Sequence, residues 1–153
     1  MTAQWTALAA LLVVTAVLAL TWRSAQGRVR TTAPGAVDAA ATGWTDELVA
    51  QGVTPGDRAT FLQLSAEVCS ACRSTARTLG ALAAEEPGVT HVEVDVDHRP
   101  DLVERARVHR TPTVLVLDAA GTEVARASGG MTPARARDAL ATVPSAPVAG
   151  RTA

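Results

Sequence analysis

The sequence predicts an α/β fold in three layers, a mixed central sheet flanked by helices, with an N-terminal transmembrane helix in front of it. Three observations predict this. From Ala59 onward, strand-like and helix-like segments follow one another as β-α-β-α-β-β-α. A strand, helix, strand start implies parallel pairing through a right-handed crossover, whereas two final strands joined by a short turn pair antiparallel. And Trp5 to Trp22 (WTALAALLVVTAVLALTW) runs without a charge.

Composition narrows the function. With 153 residues the chain has room for one domain of ordinary size beyond that run. Trp5, Trp22, Trp44 and Phe61 are its only aromatics, so the core must be Val, Leu and Ala. A net charge of −1 gives no electrostatic case for a nucleic-acid partner. Two cysteines do not make a disulfide framework.

As a helix, Trp5–Trp22 spans roughly 27 Å, close to the hydrocarbon thickness of a bilayer. A Trp stands at each end, where interfacial aromatics belong. Met1–Gln4 holds no basic residue and no small-residue cleavage site closes the run, so an uncleaved anchor over residues 1–22 is preferred to a signal peptide. Arg23, Arg28 and Arg30 follow the run, and the positive-inside rule then puts the following domain in the cytoplasm, with an extracytoplasmic domain as the alternative. Residues 23–43, rich in Ala, Thr, Gly and Arg and broken at Pro34-Gly35, read as a linker. Residues 44–142 read as the domain and residues 143–153 as a flexible tail.

Within the domain, Trp44–Val53 suits a short helix ending at Gly52, with Trp44, Leu48 and Val49 on one face. Pro55-Gly56-Asp57 is a turn. Ala59–Ser65 (ATFLQLS) is a strand, and no clear strand precedes it. A helix from Ala71 to about Ala84 places Ala76, Leu79 and Leu82 at core spacing and stops at Pro87-Gly88. In Val89–Val96, Val92, Val94 and Val96 alternate with His91, Glu93 and Asp95, as in a half-buried strand. Pro100 opens the next helix at its first-turn position. Thr113–Leu117 (TVLVL) is a continuous apolar run typical of a central strand. Thr122–Ala127 forms the neighbouring strand after a turn at Gly121, and Gly129-Gly130 ends it. Thr132-Pro133 caps and opens the last helix, which runs to about Thr142.

The chemistry centres on Cys69-Ser70-Ala71-Cys72, the only cysteines. With a helix starting here, Cys69 lies at its N-terminus and Cys72 about one turn in, on the same face. Unpaired backbone N–H groups at a helix start favour an anion, so a thiolate is stabilised there. The spacing can build a reactive dithiol, half of a zinc site, or an inert core pair. A zinc site needs two further ligands, and only His91, His98 and His109 are available without a second paired motif, so no metal and no other cofactor is expected. Asp95 and Asp97 decorate a strand end, and His109 and Arg110 lie in a turn.

From Ala59 to Leu140 the chain resembles the thioredoxin superfamily. The resemblance rests on a strand leading into Cys69-x-x-Cys72, the strand VEVDVD from Val92, the Thr111-Pro112-Thr113 element before TVLVL, and the Gly129-Gly130 break before the last helix. It implies a cis proline at Pro112 facing the dithiol. It implies Cys69 as the exposed nucleophile that forms a mixed disulfide, and Cys72 as the thiol that resolves it. Thr111 and Pro112 would border the substrate groove, and Gly129 would allow close backbone approach at its edge.

The sequence also departs from the family pattern. Val68 replaces a Trp, Ser70-Ala71 replaces Gly-Pro, and the family's buried Asp falls at Gln63. A neutral amide is no base, so resolution is expected to be slower, or to rely on water or substrate. The expected protein is a membrane-anchored thiol–disulfide oxidoreductase working as a protein-disulfide reductase. Its partners would be protein or small-molecule disulfides, an upstream electron donor, and the membrane through residues 5–22. The competing expectation is a non-catalytic binding module on the same scaffold.

Overall fold

The computed structural model describes residues 2–25, 29–31 and 43–144, and within the first helix the side chains of residues 5–21. Its helices are α1 (Thr2–Ala25), α2 (Trp44–Ala50), α3 (Ser70–Glu85), α4 (Pro100–Arg105) and α5 (Pro133–Leu140). Its strands are β1 (Val29–Thr31), β2 (Ala59–Ser65), β3 (Val89–Asp95), β4 (Thr113–Asp118) and β5 (Glu123–Ser128), forming one sheet in the order β1-β5-β4-β2-β3.

The sheet is mixed, as the element order implied. β2 pairs parallel with β3, setting Gln63 beside Glu93, and antiparallel with β4, setting Leu62 opposite Leu115. β4 pairs antiparallel with β5. Every residue of β2 is buried, which explains why its apolar residues show no clean alternation: both faces are covered. Phe61, with Val114 and Val116, packs against Leu79 and Leu82 of α3 and Ala136, Ala139 and Leu140 of α5. Leu62 and Leu64 turn to the other face, where Leu115 and Leu117 meet Trp44 and Leu48 of α2 and Leu102 of α4. The helix starts follow local chemistry. Pro100 occupies the first turn of α4, and Thr132 caps α5 by accepting from the Arg135 N–H at 3.4 Å.

Four expectations are corrected. The segment read as linker contains β1, whose Val29, Arg30 and Thr31 pair with Ala127, Arg126 and Ala125. A three-residue edge strand with one apolar side chain is too short to show a period, so only its pairing reveals it. The remaining linker positions 26–28 and 32–42 lie outside the described residues. Val49 is 63% exposed, not on the buried face. Helix α2 ends at Ala50, and Val49 stands about 100° round the axis from Leu48. Val143, placed in the tail, is buried in the core cluster of α3 and α5, and residues 145–153 lie outside the described residues.

The fourth concerns the anchor expected over residues 1–22. It is helical, and the described side chains are exposed on all sides, Trp5 at 69% and Leu12 at 63%. Among the described residues, however, no helix is long and apolar enough to cross a membrane.

Candidate active site

Cys69 is the N-cap of α3. Its backbone is extended, at φ −140° and ψ 103°, and its sulfur accepts a hydrogen bond from the Cys72 N–H at 3.1 Å. The Arg73 N–H closes the first turn on the Cys69 carbonyl. A cap residue accepting an N–H at a helix start sits where the backbone dipoles favour negative charge, so the reduced Cys69 sulfur is held in a site suited to a thiolate. The two cysteines are joined as a disulfide with their Cα atoms 5.2 Å apart. They are not equivalent: Cys69 is half-buried, whereas Cys72 is 1% exposed. Beside them Val68 is 94% exposed.

The approach to the pair is pinned from β3. Asp97 Oδ2 accepts from the Glu67 N–H at 2.9 Å, and Asp95 Oδ1 accepts from the Asp97 N–H at 2.8 Å. These two aspartates hold loops in place, in keeping with their reading as a strand-end decoration.

A second wall comes from the loops before β4 and after β5. The Thr111–Pro112 peptide is cis, as the resemblance implied. Gly129 donates its N–H to the Pro112 carbonyl at 2.7 Å and does so with φ 93°, in the left-handed region that favours glycine. Arg110 reaches across to the Ser128 carbonyl at 2.9 Å, and the Thr113 hydroxyl donates to the Arg110 carbonyl at 2.8 Å. The loop then meets α3. A side chain at Gly130 would stand 4.0 Å from the Ala71 Cβ, and the Met131 N–H donates to the Thr75 hydroxyl at 3.1 Å. Pro112 is thus tied through Gly129 to the loop whose next residue, Gly130, stands against Ala71 between the two cysteines. His98 and His109 are exposed, and among the described residues no three His, Cys, Asp or Glu side chains gather as a metal site.

Sequence reasoning missed what lies behind the pair. Gln63 is fully buried, and its amide Nε2 sits 3.0 Å from the Cys72 carbonyl, 2.8 Å from Ser65 Oγ and 3.0 Å from Glu93 Oε1. Ser65 donates its hydroxyl to Glu93 Oε1 at 2.6 Å. Gln63 Oε1 lies 3.2 Å from His91 Nε2. An amide oxygen only accepts, so His91 carries its proton on Nε2. The signal available was parity: residues 63 and 65, and 91 and 93, each share a face of their strand. Which residue stands beside which needed the parallel register.

Burial holds the His91 imidazole below the ordinary histidine range, with the nearby Glu93 charge opposing that shift. The unfolded chain therefore takes up this proton from about pH 6.5 downward while the folded chain stays neutral. The stability contribution is full above that pH and is lost as pH falls toward the depressed folded value. Urea midpoints should thus fall between about pH 7.5 and pH 5.5. The slope should stay under the ~1.4 kcal/mol per pH unit that one proton allows, because the ring is only partly buried. His91→Gln should flatten that decline, and an equal decline in the variant would place its origin elsewhere.

The family model for Thioredoxin matches residues 41–142. The chain belongs to the thioredoxin family. That family is one of thiol–disulfide oxidoreductases, and this member carries a redox-active cysteine pair. It is 44% identical over 69 residues to thioredoxin of Chlamydia trachomatis serovar D, covering 45% of this chain and 67% of that one. To thioredoxin of Echinococcus granulosus it is 38% identical over 61 residues, 40% of this chain and 57% of the relative. Among solved structures, Fasciola hepatica thioredoxin superposes with a TM-score of 0.54 at 28% identity, covering 68% of this chain and 96% of that one.

Proposed function

We propose that this thioredoxin-family chain is a membrane-attached protein-disulfide reductase, with Cys69 as nucleophile and Cys72 as resolving thiol. The asymmetry of the pair carries the assignment. Cys69 is the more accessible sulfur and caps the helix, whereas Cys72 is buried behind it. A reduced Cys69 attacks a substrate disulfide, and Cys72 then displaces the substrate from the mixed disulfide. Thr111, Pro112 and Gly129 form the wall against which a substrate chain lies. An upstream electron donor must return the pair to the dithiol. The test is reduction of the insulin disulfides with dithiothreitol as donor. Turnover by the wild type no faster than by Cys69→Ser would sink the reductase in favour of a non-catalytic binding module.

Attachment to a membrane is supported by the exposed apolar side chains that surround α1, which have no protein partner to bury them among the described residues. The arginines that follow favour a cytoplasmic domain. The full chain is expected in the membrane pellet after carbonate washing, and a chain lacking residues 2–22 in the supernatant. Recovery of the full chain in the supernatant would refute the attachment. Reporters fused after Ala153, one active only in the cytoplasm and one only outside, decide the side.

A further inference from the structure

The chain that arrives from α1 enters the domain at the end that carries the cysteines. Helix α1 ends at Ala25 and β1 starts at Val29, so three residues, 26–28, join them. Four Cα steps reach at most about 15 Å. β1 then runs antiparallel to β5, with Val29 opposite Ala127 and Thr31 opposite Ala125. Val29 also packs against the core cluster of α3 and α5, so the strand is pinned by a side chain as well as by its ladder.

The direction of β5 decides where that entry point lies. β5 runs from Glu123, just past the turn at Gly121, to Ser128, just before the Gly129-Gly130 break. The Gly129 N–H donates to the Pro112 carbonyl, and Gly130 stands against Ala71, between Cys69 and Cys72. Opposed residues of antiparallel strands lie about 5 Å apart, and three residues of chain add at most about 11 Å. Val29 is therefore within about 20 Å of the Cys69–Cys72 turn. A tether entering opposite Glu123 would stand farther off by the length of β5, about 20 Å.

We propose that the redox end of the domain is turned toward the membrane, and that its substrates are disulfides of other membrane-bound proteins within about 35 Å of the bilayer surface. This rests on the membrane-attached reductase reading above. The short connection sets the range. β1 sets the direction, because it fixes the entry point on the side of the cysteines. The chemistry is unchanged: two electrons and two protons pass from the Cys69–Cys72 dithiol to the substrate disulfide, leaving the protein disulfide and two substrate thiols. A disulfide inside that range meets the pair at high effective concentration, since both partners are confined to one surface. A membrane-bound disulfide held beyond it is out of reach.

The test uses the pre-reduced full chain in phosphatidylcholine vesicles. Two transmembrane probe peptides each carry one disulfide loop, the first about 10 Å above the surface and the second raised to about 60 Å on a stiff helical stalk. Single-turnover reduction of the near probe should be at least about tenfold faster than that of the far probe. Inserting about 40 Gly-Ser residues after Gly27 lengthens the tether by about 35 Å, and the far probe should then come within about threefold of the near one. Both chains should reduce soluble insulin at the same rate. A far probe reduced by the wild type as fast as the near one, or an insertion that leaves the far rate unchanged, overturns the inference. A wild type that does not float with the vesicles refutes the attachment, and one that leaves soluble insulin oxidised refutes the reductase. Either result removes this inference too, and the two are read separately.

Discussion

Cys69→Ser is expected to abolish disulfide reduction, a loss of at least about 10³-fold in insulin turnover. A serine hydroxyl at the cap position still accepts the Cys72 N–H, so the start of α3 is preserved and the loss reports chemistry, not folding. Cys72→Ser should behave differently. The first attack needs only the accessible sulfur, so the variant reacts once and stalls as a mixed disulfide, visible as a mass adduct removed by dithiothreitol. Roles set by accessibility predict this asymmetry. If Cys72→Ser turned over while Cys69→Ser accumulated the adduct, the assignment of nucleophile and resolving thiol would be reversed.

Phe61→Ala should be the most costly core substitution in the domain, at about 3–5 kcal/mol. Phe61 is fully buried in β2 and is the only Phe in the chain. Its cluster holds Leu79, Leu82, Met131 and Leu140 together with Val114, Val116, Ala125, Ala136 and Ala139, and these last five are too short or too stiff to extend into the vacated space. The cavity thus stays open and adds its cost to the lost transfer energy. With a urea dependence of about 1–3 kcal/mol per molar, the midpoint should fall by roughly 2 M. Val68→Ser is the control: at 94% exposure it should change stability by less than about 0.5 kcal/mol. A Phe61→Ala loss below about 1 kcal/mol would mean that the sheet closes over the gap.

The elements that sequence located well are those whose signal is local. β2 begins and ends at Ala59 and Ser65 as expected, and α3 and α5 differ by one or two residues from their expected bounds. Their period, their proline and glycine stops and their caps all lie within a few residues of chain. β1 failed this test because Val29–Thr31 has no period of its own and is a strand only by pairing with β5. Val143 failed it because burial of one side chain beyond a helix end depends on what the helix packs against.

The cysteine spacing at a helix start was legible locally, whereas the cis state of Pro112 and the place of Gly129 at the groove's edge came only from the resemblance to the family. The sequence by itself therefore determined the α/β class, the position of the dithiol at a helix start, and the absence of the family's buried acid at Gln63. The tertiary structure decided which cysteine is accessible and which is buried, and how the Gly129-Gly130 loop, tied to Pro112, comes to stand against Ala71 between them. It also placed Glu93 next to Gln63. Burial and strand register arise only when segments distant in sequence are packed together, so no local pattern could show that Gln63 has a carboxylate beside it on the adjacent strand.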